Sequence, residues 1–546
     1  MVDQRNAASW KLGAACQLPP WTLRWKSFSR RGNDASVDMS PLIRIRFAPA
    51  LLALGLGIEM NAATGAGAAR TSEWKLAIPE ECGLDSAVLA EMFDFVRTNP
   101  VPVHSVQIVR HGQLVLDAYF HPFNEETRHD VASVTKSITS TLVGLAIDKG
   151  HMRDIQQTLL SSFPERTIVN LDSRKRRVTF EHLLTMSAGW DCGFEAKEAR
   201  LTEMRRSNDW MQFMLDLPMM ADPGTRWAYC SGNCHVLSVL LTQATGTNAF
   251  AFARRELFAP LGIHDVMWPA DSRGNNHGWG DLQLHPLDMA KLGQLMLQGG
   301  RWNGQQVISK QWVASATRAH VERTSNKDHY GYFWWVKGTN FPGMFEAVGR
   351  GGQRITVWPA KDLVVVFTGG GFEPGELAPF LLKALKSDGP LPGNAETSAR
   401  LRQRIADAAK PRPARSAPKP PPLAELVSAK KYNLSANALG LTALTLSFDS
   451  SPAAQAELLW NGHHERFRVG LDGIERFSTN TLVHLPCAAT GEWLDKETFR
   501  LQLDLVGGIN CYRFKLVFSG DGKKLRVDLN ERTGLVDEQF EGIATP

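Results

Sequence analysis

The feature that most constrains this chain is a proline-rich run, Pro411, Pro413, Pro418 and Pro420-Pro421-Pro422, interspersed with Lys and Arg. Proline fixes φ and removes a backbone donor, so such a run cannot build a helix interior or a central strand. It predicts an extended spacer over residues 389–422. At 546 residues the chain is also too long for one ordinary core. Division at the spacer leaves two stretches of different pattern, and a composition of 43% hydrophobic residues supports a core in each.

Beyond the spacer, residues 423–546 read almost entirely as short strands. Segments 441–448, 456–460, 466–471, 498–506, 512–518 and 524–529 alternate or run apolar. Asn461-Gly462, Asp472-Gly473, Gly507-Gly508 and Gly520-Asp521-Gly522 supply turns between them. This predicts a small all-β accessory domain, a barrel or a sandwich, that folds by itself and carries no chemistry. His463-His464-Glu465 reads as a solvated turn rather than a metal site.

Before the spacer, helix and strand patterns mix. Residues 1–38 lack a core pattern and read as a non-structural extension, with Met39 the expected start. Residues 39–69 read as a signal peptide, with Arg44 and Arg46, an apolar run over 47–58, then small residues and cleavage near Ala69. This predicts a periplasmic or secreted protein with no stable membrane span after cleavage. Six cysteines lie beyond residue 70, namely Cys82, Cys192, Cys230, Cys234, Cys487 and Cys511. An even number in an oxidising compartment permits disulfides, and none has paired zinc-ligand spacing. Cys487 and Cys511 lie at strand ends and offer one pairing. The net charge of +5 is small and the basic residues form no stripe, which excludes nucleic acid as a partner.

Within residues 70–388, helices are expected at 86–97, 133–149, 234–245, 284–298 and 376–386. A hairpin spans 106–120, and strand-like segments at 330–336, 344–348, 354–358 and 363–368 imply an antiparallel sheet. Ser133 and Lys136 fall three apart at the start of one helix, so they share a face near the positive end of its dipole. A serine hydroxyl becomes a nucleophile when a neighbour takes its proton. A lysine can do so if burial and nearby cations lower its pKa. His182, beside Leu183 and Leu184, reads as structural. Tyr229 precedes a helix and reads either as a packing residue or, near a Ser–Lys pair, as a proton shuttle.

Five phrases occur in a telling order: Ser133-Val-Thr-Lys136; His182-Leu-Leu-Thr-Met-Ser-Ala-Gly189; Pro223-Gly-Thr leading to Tyr229-Cys-Ser231; Pro286-Leu-Asp-Met-Ala-Lys291; and Ala347-Val-Gly349 with Arg350-Gly-Gly-Gln353. Over residues 80–388 the chain thereby resembles the serine β-lactamase and penicillin-binding-protein superfamily. The closer match is the branch of class C β-lactamases, family VIII esterases and 6-aminohexanoate-dimer hydrolases. The resemblance implies an α+β, β-lactamase/transpeptidase-like domain at 70–388, an antiparallel sheet flanked by helices plus an all-helical subdomain. It implies an acyl-enzyme on Ser133, with Lys136 and Tyr229 sharing the general-base work, and an oxyanion hole from the Ser133 and Arg350 amides. It implies substrate contacts at Trp190, Ser231, Asn233, Ala347, Gly349 and Gln353, no metal and no cofactor. The substrate would be a small ester or amide, with the oligomeric state open.

Two positions depart from that pattern. Ser231 stands where the superfamily has Asn, with Asn233 two residues on; either could hold Lys136 or a substrate amide. Ala347 stands where many relatives carry a cation that binds a carboxylate, which removes an interaction worth about 1.5–3 kcal/mol. This favours an esterase or amidase over the alternative of a β-lactamase or DD-peptidase, unless the Arg350 side chain turns inward. A third alternative is a non-catalytic binder of cell-wall peptide or a partner protein. Cys192 and Cys230 flank the same cleft in relatives, and are either a disulfide or two buried thiols.

Overall fold

The computed structural model describes residues 73–194, 198–322, 328–449, 452–479 and 485–545. The extension, signal segment and cleavage site expected within residues 1–69 lie outside the described residues. Among the described residues no single helix is long and apolar enough to cross a membrane.

A nine-stranded sheet forms the frame of the first domain. Its centre comprises β1 (Val103–Arg110), β2 (Gln113–Tyr119), β3 (Phe345–Val348), β4 (Arg354–Trp358) and β5 (Leu363–Gly369), side by side in the order β2-β1-β5-β4-β3. These pair antiparallel; the two-residue edge strand Lys75–Leu76 runs parallel to β2. Every residue of β1 and β5 is buried, because both faces are covered. The period of two divides β5 between two cores. Leu363, Val365 and Phe367 join the core under helix α1 (Ser86–Thr98). Val364 and Val366 join the larger core with helices α2 (Val134–Asp148), α3 (Ser231–Thr245) and α4 (Pro286–Leu297). The segment expected as one strand at 330–336 is two, His329–Tyr330 and Trp335–Val336, which pair with each other across the intervening turn.

The helices between Val134 and Ala316 pack beside the sheet as a second layer, with Trp190, Met214, Leu237, Phe252 and Trp279 in its core. His182 is structural there: its Nδ1 accepts from the Thr179 amide at 3.1 Å and closes a capping box on the helix Phe180–Leu184. Cys192 and Cys230 form a disulfide with Cα atoms 5.6 Å apart, tying the loop after Gly189 to the residue following Tyr229.

The stretch 389–422 is not spacer throughout. Ala395–Ala408 is a helix, α5, with Leu401, Ile405 and Ala408 on its inward face, packed on α1. Ser86 Oγ donates to Thr397 Oγ1 at 2.8 Å, and Arg400 and Arg404 both pair with Asp94. Prolines dominate only the second half of the stretch; the first half has helical periodicity that the overall composition hid.

Residues 431–544 form an antiparallel sheet of ten strands whose first strand, Lys431–Leu434, pairs with its last, Asp537–Ala544. A bridge between Gly470 and Thr490 closes it into a barrel. Alternate residues such as Leu444, Leu458, Phe467, Leu501, Phe514 and Val527 fill the interior. Cys487 and Cys511 are free thiols here, not the disulfide that their positions offered. They lie on strands Pro486–Trp493 and Cys511–Phe518, and Thr498–Leu505 pairs between those two strands.

The Cys192–Cys230 bridge closes a loop of 38 residues. In the chain-entropy model this stabilises by about 3–4 kcal/mol. Cys192→Ser should therefore lower the unfolding free energy by about that amount. Reductant should destabilise wild type and leave the variant unchanged; equal denaturant midpoints for the two unreduced proteins would refute the assignment.

Candidate active site

Ser133 occupies the N-cap position of α2. The chain reaches it through a tight turn in which Ala132 holds φ +47°, a left-handed conformation costly for a residue with a Cβ. Asp130 supports the turn, its Oδ1 accepting from the Ala132 amide at 2.8 Å. One helical turn on, Lys136 is fully buried, and its Nζ donates to Ser133 Oγ at 2.8 Å and to the Trp279 carbonyl at 3.0 Å. Tyr229, just before α3, directs its phenol at both Ser133 and Lys136, with the lysine Nζ 4.8 Å from its ring centre. The structure thus brings Ser133, Lys136 and Tyr229 into one hydrogen-bonded set.

The electrostatics differ from a lysine neutralised by cations. Burial favours the neutral amine, but the negative charges of Tyr229, when ionised, and of Glu198 outweigh it and hold Lys136 above the ordinary lysine range. Burial likewise pushes the Tyr229 phenol up, against the pull of Lys136. The charges acting on Lys136 come from acidic side chains and raise its pKa, where nearby cations would have lowered it.

Glu198 is the residue that motif reading missed. It lies in a loop 31 residues before Tyr229 by numbering and matches no motif. Its Oε1 accepts from the Ser231 amide at 2.5 Å and its Oε2 from Ser231 Oγ at 3.1 Å. Burial raises its pKa, and Lys136 opposes that rise. Ser231, the stand-in for the usual Asn, accordingly faces this carboxylate. A carboxylate nearby is the partner that a charged form of buried Lys136 would need, so the chemistry of Lys136 was the signal that could have prompted a search for it.

Other expected substrate contacts are turned elsewhere. Asn233 Oδ1 accepts from Trp190 Nε1 at 2.7 Å, and both residues are buried. α3 begins at Ser231 rather than at Cys234, and this places Asn233 in its first turn pointing into the core. Gln353 is fully buried, and its Nε2 donates to the Gly369 carbonyl at 2.5 Å to tie the β3–β4 connection to β5. Ala347 is buried in the main core. Trp190, Asn233, Ala347 and Gln353 are thus all buried, and hydrogen bonds hold Trp190 to Asn233 and Gln353 to Gly369. Gly349 borders the site: a Cβ there would lie 2.5 Å from the Val131 carbonyl, so only glycine lets the end of β3 approach the nucleophile turn this closely.

That approach places Arg350, the next residue, beside the turn that carries Ser133. Both residues open helical turns, and among the described residues neither amide makes a backbone hydrogen bond. Two such free N–H groups suit an anionic oxygen. The Arg350 side chain points away, to Asn510 and Thr533, and does not supply the cation absent at Ala347.

Two contrasting sets of side chains border the triad. Trp227, Tyr330 and Trp335 cluster with Tyr229 at ring separations of 5.2–6.3 Å, and half-exposed Phe194 adds to them. Near the nucleophile turn, Asp130 and Asp281 interact electrostatically. Burial and the Asp281 charge raise Asp130 to about 7. Burial raises Asp281 too, but the hydrogen bond from His277 at 2.7 Å and the charges of Arg205 and Arg350 overcome it.

The family model described as Beta-lactamase matches residues 94–385. The chain belongs to that family. A 6-aminohexanoate-dimer hydrolase from Paenarthrobacter ureafaciens is 27% identical over 282 residues, covering 47% of this chain and 70% of the relative. Among solved structures, a family VIII carboxylesterase aligns with 16% identity and a TM-score of 0.45 over 61% of this chain and 98% of that one. The octameric penicillin-binding protein homologue from Pyrococcus abyssi aligns with 16% identity and a TM-score of 0.44 over 83% and 99%.

Glu198 raises the pKa of both Lys136 and Tyr229 through its negative charge. Replacing it by neutral glutamine lets the pair lose a proton at lower pH. Glu198→Gln should move the rising limb of the kcat/KM profile down by about one pH unit. An unshifted limb in a folded variant would show that the carboxylate does not act on the pair.

Proposed function

We propose that this protein is a serine hydrolase that cleaves a small ester or amide through an acyl-enzyme on Ser133. The observation that carries the reading is the 2.8 Å contact between Lys136 Nζ and Ser133 Oγ in a buried site that Tyr229 completes. Once the Lys136–Tyr229 pair, which titrates as a unit, has lost one proton to solvent, Ser133 Oγ attacks the carbonyl carbon as its own proton passes into that pair. The same pair returns a proton to the leaving alkoxide or amine. The Ser133 and Arg350 amides take the developing oxyanion. A water then attacks the acyl carbon, and the pair relays the proton back to Ser133.

The aromatic cluster of Trp227, Tyr330 and Trp335 favours an apolar acyl portion. The turning-away of Arg350 and the methyl group at Ala347 weigh against a substrate anchored by a carboxylate, and so against an efficient β-lactamase or DD-peptidase. The 6-aminohexanoate-dimer hydrolase supports including linear amides among the candidate substrates. The Cys192–Cys230 disulfide supports export to an oxidising compartment, as the signal-like segment suggests.

Ser133→Ala should abolish hydrolysis of p-nitrophenyl esters while leaving thermal unfolding unchanged. A fluorophosphonate should label Ser133 in wild type and not in the variant. Turnover near the wild-type rate in the folded variant would end the nucleophile assignment.

A further inference from the structure

The β-barrel was expected to stand apart from the chemistry, and its contacts say otherwise. A single barrel turn, residues 506–511, touches both loops that carry the free amides. The Gly507 carbonyl accepts from the Asp130 amide at 2.8 Å, three residues before Ser133. Ile509 packs on the second loop so tightly that a Cβ at Gly351 would lie 2.3 Å from its Cγ2. Asn510 Oδ1 accepts from Arg350 Nη2 at 2.9 Å. A second barrel turn supplies Thr533, whose Oγ1 accepts from Arg350 Nη1 at 2.6 Å.

Both acceptors are themselves held. Asn510 Nδ2 donates to the Tyr512 hydroxyl at 3.0 Å. Fully buried Glu531 receives the Thr533 hydroxyl at 2.6 Å, the Thr533 amide at 2.9 Å and the Leu535 amide at 3.2 Å on one oxygen. Phe123, Ala488 and Val506 seal an apolar contact beside them. The loop being gripped needs the grip: in Gly349-Arg350-Gly351-Gly352 three of four residues are glycine, and Gly351 and Gly352 sit at φ +82° and +101°. Such a backbone has little stiffness of its own.

We propose that the barrel braces the oxyanion hole, with Asn510 and Thr533 as positioning residues that act through the Arg350 guanidinium. The side chain they fix belongs to the residue whose amide is the donor, and the same turn anchors the other donor's loop through Asp130. An error near 1 Å at such a donor costs about 10²-fold in rate. This inference rests on the acyl-enzyme reading, and its test separates the two.

In the full-length chain, Asn510→Leu combined with Thr533→Val removes both acceptors of the Arg350 fork. For a p-nitrophenyl ester, kcat should fall about 10–100-fold with KM within about threefold, since the donor acts on the transition state. Affinity for an aryl boronic acid, which forms a tetrahedral adduct, should fall in parallel. Asn510→Asp, which still accepts from Arg350, should retain most of the wild-type kcat. Rates are referred to sites titrated with fluorophosphonate, so lost folding does not count as lost catalysis; if the double variant does not fold, Asn510→Leu alone is held to the same criteria. A kcat and boronate affinity within about twofold of wild type would overturn the brace, because a purely structural contact changes stability and not turnover per site. Absence of a Ser133 adduct in wild type would instead overturn the acyl-enzyme reading, whatever the variants do.

Discussion

The hydrogen bond from Lys136 to Ser133 is the interaction around which the rest is arranged. A lysine nitrogen with no exposure to solvent must be surrounded by groups that stabilise it, and each of those groups comes from a different part of the fold. Ser133 lies one helical turn away on α2, the Trp279 carbonyl on a loop from the helical layer, Tyr229 ahead of α3, and Glu198 on a loop held near by the disulfide-linked segment. Moving any of these elements leaves a buried charge uncompensated. The site is therefore a condition on the packing of two layers, and the packing in turn fixes which groups titrate together.

The same reasoning links the two domains. A nucleophile at a helix start needs a second amide opposite it, and the chain provides that amide on a glycine-rich turn at the end of β3. Glycine permits the close approach of β3 to the nucleophile turn but leaves the following loop soft. The guanidinium of Arg350, spent on the barrel, connects this softness to a rigid partner. Engaged there, it does not reach toward Ala347, so in the reading proposed above one hydrogen-bond fork bears on both catalysis and substrate choice.

Local patterns in the chain had already indicated the hairpin, the Ser133 helix, the antiparallel sheet and the all-β region, because each depends on near-neighbour periodicity and turn residues. The structural role of His182 was legible for the same reason, since its cap lies three residues away. The site was legible as far as Ser133, Lys136 and Tyr229, whose motifs are contiguous. For Asn233 and Gln353 the motif identified the neighbourhood but not the direction in which a side chain points. Asn233 is buried because α3 starts three residues earlier than its apolar spacing suggested. Helix α5 was hidden because the prolines after it coloured the composition of the whole stretch.

What the sequence by itself determined is thus the set of elements and the placing of Ser133 and Lys136 on one helix face: helix period, strand alternation and turn chemistry act over a few residues and need no knowledge of the fold. What only the tertiary structure decided is which distant groups meet. Glu198 beside Lys136, Arg350 clamped between Asn510 and Thr533, and Gly507 against Asp130 join residues separated by tens to hundreds of positions. No local pattern encodes such pairs, because their energy comes from burial and charge compensation that exist only once the layers have packed.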